Sequence, residues 1–198
     1  TLRVDVTPSI MLRFVEMNLT KPVFKDVRVR QALNYAVNKE ALVKVAFAGY
    51  ADVAEGIAPL SVDYAVKLGP WPYDPQKAKA LLKEAGYPNG FTATLWSLYN
   101  HTTAQKVIQF LQQQYARIGV KLQVRALEAG QRVTLVQSVG PEKSTSQMFC
   151  WGWSASTGEL DWVLRPLLAT SSFPPANSNY AYYSNPKLDS LLTAALKT

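Results

Sequence analysis

Apolar and polar residues change period several times along the 198-residue chain, and each change marks an element. Ile10 to Leu19 sets Ile10, Leu12, Phe14, Val15, Met17 and Leu19 among polar neighbours, which predicts a strand that Lys21-Pro22 breaks. From Asp26 the apolar spacing becomes helical through Val29, Leu33, Ala36 and Val37, behind a carboxylate suited to cap free amides. Asn38 interrupts that pattern and caps a second helix carrying Leu42, Val45, Ala46 and Phe47, with Glu40 in its first turn and Gly49 as its stop. Ala51 to Asp74 follows neither period and holds Pro59, Pro70 and Pro72. Asp74-Pro75 then opens a helix with Ala78, Leu81, Leu82 and Ala85 on its apolar face, ended by Gly86.

The second half alternates more regularly. Phe91 to Leu98 reads as a strand. Thr102 or Thr103 opens a long amphipathic helix bearing Val107, Ile108, Leu111, Tyr115 and Ile118, closed by Gly119. Val120 to Leu127 alternates as a strand, Glu128 to Val139 reads as a short helix, and Gln147 to Trp153 is an apolar strand. A helix with Trp162, Val163 and Leu167 follows the Gly158-Glu159 region, Asn179 to Tyr183 reads as a short strand, and Asn185-Pro186 starts a final helix. Strands alternating with helices predict an α/β fold, a mixed or largely parallel sheet flanked by helices, with 1–198 as a single domain. Val29, Leu33, Val107 and Leu111 are assigned to the core, and Trp96 and Trp151 to core or lobe surface.

Composition narrows the function classes. At 48% hydrophobic and 18% charged residues the chain is ordinary globular material, and no apolar run is long enough to cross a bilayer. Thr1 does not resemble a natural start and Lys197-Thr198 follows an apolar helical pattern directly, so both ends read as cuts in a longer chain. The net charge of +7 is scattered over the polar faces of helices rather than gathered into a stripe, which argues for a solvated surface and against nucleic acid. Cys150 is the only cysteine and lies in an apolar run, so it reads as a buried inert thiol; His101 is the only histidine. Multi-histidine and cysteine-based metal sites are thereby excluded, and no cofactor is implied. No phosphate-binding glycine loop and no Gly-x-Ser-x-Gly elbow is present. Glu159 and Asp161 could divide acid and base roles, answer a helix dipole, or meet a ligand ammonium; the last two readings suit the start of a helix better.

Four blocks carry a family resemblance. Asp26 to Leu42 (DVRVRQALNYAVNKEAL), Tyr73 to Tyr87 (YDPQKAKALLKEAGY), Tyr115 to Lys121 and Trp151-Gly152-Trp153 resemble the extracellular solute-binding family that serves peptide, nickel and glutathione importers. Ala46 to Tyr50, Trp71 to Pro75, Ala129 to Arg132 and Gly152 to Glu159 are most similar to its glutathione-binding branch. The resemblance implies one lobe, the second of two, in a periplasmic protein without catalytic activity. It implies a ligand, glutathione or a short peptide, held between the lobes, and a partner in the membrane permease of an ABC importer. The protein is expected to be a monomer.

The resemblance also suggests where the ligand lies. Dipeptide-binding relatives place an aspartate after the Gly-Trp strand to meet the ligand's amino terminus. Ser156 stands there in this chain, and Ser154, Ser156 and Thr157 form a hydroxyl-rich loop with Glu159 or Asp161 to balance an ammonium. Those relatives also carry an arginine after the Leu-Trp-Ser strand, which Tyr99-Asn100-His101 lacks. Asn100 and His101 are then donors to the ligand, and Arg132 is the substitute cation for its carboxylate, with an exposed helix position as the competing reading. Trp153 walls the ligand or packs in the core. Two alternatives stay open: another short peptide or peptide-like solute, and a structural or interaction domain without a ligand.

Overall fold

The computed structural model describes residue 3 and residues 5–197. Strand β1 (Met11–Met17) leads into a helical turn α1 (Pro22–Lys25) and the helices α2 (Val27–Tyr35), α3 (Lys39–Phe47) and α4 (Pro75–Glu84). Strand β2 (Thr92–Ser97), helix α5 (Thr102–Ala116) and strand β3 (Lys121–Ala126) follow, then a short α6 (Ala129–Arg132) running into a π-helical turn at Val133–Gln137. Strand β4 (Met148–Ser154), helix α7 (Asp161–Leu168), a 3-10 turn at Thr170–Ser172 and helix α8 (Pro186–Ala195) complete the chain.

The helices start where side-chain acceptors reach the free amides. Asp26 accepts from the Arg28 N–H at 2.8 Å, Asn38 from Ala41 at 2.9 Å and Asp74 from Lys77 at 2.8 Å. Two expectations are corrected. The cap of α5 is neither Thr102 nor Thr103 but His101, whose Nδ1 accepts from the Ala104 N–H at 3.3 Å. Asn179 to Tyr183 is a turn, not a strand. The buried Asn179 amide donates to the carbonyls of Ala169 (3.0 Å) and Tyr183 (2.8 Å), closing the backbone on itself, and Tyr182 adopts φ +52.

The sheet is mixed, in the order β1-β4-β2-β3. β4 runs parallel to β2, and β2 parallel to β3; β1 alone is antiparallel, with Met11 opposite Ser154 and Met17 opposite Met148. Successive side chains on β4 point to opposite faces and feed two cores. Met148 and Cys150 join Val29, Leu33, Leu95, Ile108 and Leu111 beneath α2, α4 and α5, with Val107 half-buried against that cluster. Phe149 and Trp151 join Val163, Leu167 and Tyr180 on the other face, and Trp96 packs half-buried against them. Trp151 is therefore a core residue. Burial pushes the Cys150 thiol up to about 12, which leaves it protonated and inert at neutral pH.

Glu16 is the costly group in the second core. It is buried, and Trp151 Nε1 donates to its Oε2 at 2.8 Å. Burial raises its pKa well above the usual glutamate value, and the indole hydrogen bond offsets only part of that. An acid with a raised folded pKa binds its proton more tightly in the folded state, so stability falls as pH rises from the unfolded pKa towards the folded one. Glu16→Gln keeps the acceptor for Trp151 and removes the charge. It is expected to raise the melting temperature at neutral pH, with the gain shrinking towards zero as pH drops to the ordinary glutamate range. Thermal melts across that range check it.

Candidate functional site

Because β2, β3 and β4 run in one direction, their carboxyl ends (Ser97, Ala126 and Ser154) lie on one edge of the sheet. Ligands of open α/β sheets bind outside such an edge, because the loops that leave it converge there and the strand ends hold them rigidly. Asn100 and His101 follow β2, Arg132 follows β3, and Trp153 to Asp161 end and follow β4. The fold thus brings every sequence-predicted site residue to the same edge, although they are scattered over more than sixty positions of chain.

Each loop is fixed by local bonds. Ser97 Oγ donates to the Tyr99 carbonyl at 2.8 Å and accepts from the Tyr99 N–H at 3.2 Å, setting the turn after β2. Asn100 Nδ2 reaches Glu128 Oε1 at 3.5 Å and ties this loop to the one after β3. His101 uses Nδ1 as the helix cap, so the proton of its neutral ring sits on Nε2, which remains available as a donor on an exposed side chain. Arg132 Nε is buried without a hydrogen-bond partner among the described residues. A buried donor left in that state costs about 1–3 kcal/mol. On the β4 side, Trp153 Nε1 donates to the Trp162 carbonyl at 2.7 Å, and its ring lies 5.7 Å from Trp151 and 6.4 Å from Trp162. The half-buried indole packs against the second core, with its N–H already engaged.

The family description "Bacterial extracellular solute-binding proteins, family 5 Middle" matches residues 1–175. This chain belongs to that family. It is 60% identical over 197 residues to the glutathione-binding protein GsiB of Pectobacterium atrosepticum, a match covering 100% of this chain and 38% of that one. Two solved structures share the fold. The periplasmic binding protein DppA from Helicobacter pylori, in complex with the peptide STSA, is 28% identical with a TM-score of 0.83, covering 98% of this chain and 37% of that one. A dipeptide-binding protein from Pseudoalteromonas, in complex with Met-Leu, is 30% identical with a TM-score of 0.79, covering 95% and 37%. The chain therefore spans about 38% of the length of its curated relative.

The two carboxylates after β4 differ. Asp161 forms a bidentate pair with Arg165, at 2.6 and 2.9 Å, and Arg165 also donates to the Leu192 carbonyl at 2.6 Å. Asp161 thereby fastens α7 to α8. Glu159 is exposed and makes no ion pair among the described residues; its backbone N–H donates to Thr157 Oγ1 at 3.3 Å. Ser154 is half-buried, while Ser156 and Thr157 are exposed. Two surface depressions, of about 440 Å³ at Asp189 to Lys197 and about 520 Å³ between Thr134 and Thr145, are lined by none of the predicted residues.

One group at this edge carries no signal in the apolar pattern. Arg13 of β1 lies with its guanidinium carbon 4.0 Å from the centre of the Tyr99 ring. The one sequence feature that could have pointed to it is Gly152, a glycine inside an otherwise bulky strand, which marks a close approach. The difference between the carboxylates gives a direct check. Asp161→Asn is expected to lower stability by roughly 0.5 kcal/mol, the range of partly exposed helix pairs, whereas Glu159→Gln leaves it unchanged. Urea unfolding midpoints of the two variants read this out.

Proposed function

We propose that this chain is the second lobe of a two-lobed periplasmic protein that binds glutathione and presents it to the membrane permease of an ABC importer. The observation that carries the proposal is the 60% identity to a glutathione-binding protein over the whole chain, which includes every loop at the carboxyl edge. The chemistry of those loops suits the ligand. Glutathione bears an ammonium and a carboxylate on its glutamyl carbon and a second carboxylate on glycine. Ser154, Ser156 and Thr157 offer hydroxyls to the glutamyl end, with Glu159 free to balance the ammonium. Asp161, engaged by Arg165, supports that loop from below. Arg132 meets the glycyl carboxylate, whose two oxygens match the fork of a guanidinium. Asn100 and the His101 Nε2–H add hydrogen bonds, and Trp153 walls the peptide.

Binding alone is the activity; no bond is made or broken. The ligand bridges two lobes, stabilises their closed arrangement, and so marks the loaded protein for the permease as a monomer. A second reading, another short peptide, is supported by the peptide-bound relatives with the same fold.

Nuclear magnetic resonance shift titration of the chain against reduced glutathione, oxidised glutathione and an alanyl dipeptide tests the proposal. Reduced glutathione is expected to give saturable shifts in Tyr99 to His101 and Trp153 to Glu159. Its affinity is expected to be at least about tenfold weaker than that of the full-length Pectobacterium relative, since one lobe supplies part of the contacts. Saturation by the dipeptide alone, or by nothing, would overturn it. Arg132→Ala is expected to weaken glutathione binding roughly ten- to a hundredfold in the same titration.

A further inference from the structure

Arg13 occupies a polar position on an edge strand, where a solvated side chain is the ordinary expectation. Its actual course is different. The residue opposite it across the β1–β4 pair is Gly152. A Cβ on Gly152 would fall 2.8 Å from Arg13 Cδ and 2.6 Å from the Leu12 carbonyl oxygen. The arginine arm therefore lies across β4 at the one point where that strand has no side chain. Beyond β4 it reaches the loop that follows β2, where its guanidinium carbon lies over the Tyr99 ring, 4.0 Å from its centre. That ring is itself held. Two Ser97 hydrogen bonds fix the Tyr99 backbone, and the His101 ring lies 5.6 Å away.

A cation–π contact need not engage the hydrogen-bonding edge of a guanidinium, which can then take a planar, two-oxygen partner. Arg13 is exposed, and among the described residues no hydrogen bond or ion pair reaches its nitrogens, in contrast to Arg28 and Arg165, which are paired with Asp26 and Asp161. A long, flexible cation is thus held in one place, at the carboxyl edge, with its donors open. It also stands close to the β4 loop: Met11 lies opposite Ser154, and the Ala155 N–H donates to the Ile10 carbonyl at 3.2 Å. Arg132 reaches the edge from beyond β3, at the other end of the sheet order.

We propose that Arg13, laid across Gly152 and held on Tyr99, is a specificity residue that binds the α-carboxylate of the ligand's glutamyl group. The assignment rests on the glutathione reading above. It divides the ligand's two carboxylates between two guanidinium groups, the glutamyl one on Arg13 and the glycyl one on Arg132. It also explains how the site would favour a ligand whose first residue presents a carboxylate beside its ammonium. An ordinary peptide has none there.

The test compares glutathione with an analogue in which γ-aminobutyrate replaces the glutamyl residue, keeping the ammonium and lacking only the α-carboxylate. Shift titrations are run on the unaltered chain, on Arg13→Ala and Arg13→Gln, and on Arg132→Ala. The unaltered chain is expected to prefer glutathione. Both Arg13 variants are expected to lose roughly ten- to a hundredfold in glutathione affinity while binding the analogue as before, so the preference disappears. Arg132→Ala is expected to weaken both ligands and keep the preference. Arg13 variants that lose the same factor for both ligands, or lose nothing, would overturn the Arg13 assignment and leave the glutathione reading standing. An unaltered chain that saturates with neither ligand overturns both.

Discussion

Strand β4 is buried on both faces, and the rest of the fold follows from that burial. Met148 to Trp151 are all nearly inaccessible, so both sides of the strand must be covered and both of its backbone edges paired. β1 pairs one edge and β2 the other. Helices α2, α4 and α5 cover one face; α7 and the segment around Tyr180 cover the other. A strand buried on both sides also makes a stiff support at its end. Trp153, Ser154 and the loop to Asp161 leave the sheet from that support, so the start of the loop is held by a rigid element.

Buried polar groups fasten the connections to this frame. Asn18, at the end of β1, donates to the Ser146 carbonyl at 2.7 Å just before β4 begins, and its Oδ1 accepts from the Thr20 N–H and hydroxyl. Asn179 does the same for the turn that carries Tyr180 against the second core. Glu16 is the exception. It donates nothing when ionised and has a single indole donor on one oxygen, so it costs stability that the aromatic cluster of Phe14, Phe149, Trp151 and Tyr180 must outweigh.

The carboxyl edge shows how one residue without a side chain can organise several with them. Gly152 interrupts the bulky sequence of β4, and the space it leaves is filled by Arg13. The arginine links β1, the outermost strand on one side, to the loop after β2, while Asn100 links that loop to the one after β3. The edge strand and the loops after β2 and β3 are therefore linked by side-chain contacts along this edge.

Much of the fold was legible in the sequence because it depends on residues near one another. Caps at Asp26, Asn38 and Asp74 act over two or three positions, and the helical and strand periods are local as well. Local pattern blocks also sufficed to indicate the family and to mark the β4 loop and Arg132 as candidates. Local reasoning failed where a distant partner decided the outcome. Asn179 to Tyr183 has strand-like residues, but the Asn179 amide bonds Ala169 and Tyr183 and folds the segment into a turn. Asp161 and Glu159 look alike in sequence, and only Arg165, one helical turn on and tied to Leu192, separates a supporting carboxylate from a free one. Arg13 and Tyr99 are far apart in the chain and meet only because the sheet order sets β1 beside β4 and β4 beside β2. Period and capping chemistry act within a few residues, so the sequence determined the elements. Side-chain partners across the sheet depend on strand order and register, so only the tertiary structure decided which charges are engaged and which stay open to a ligand.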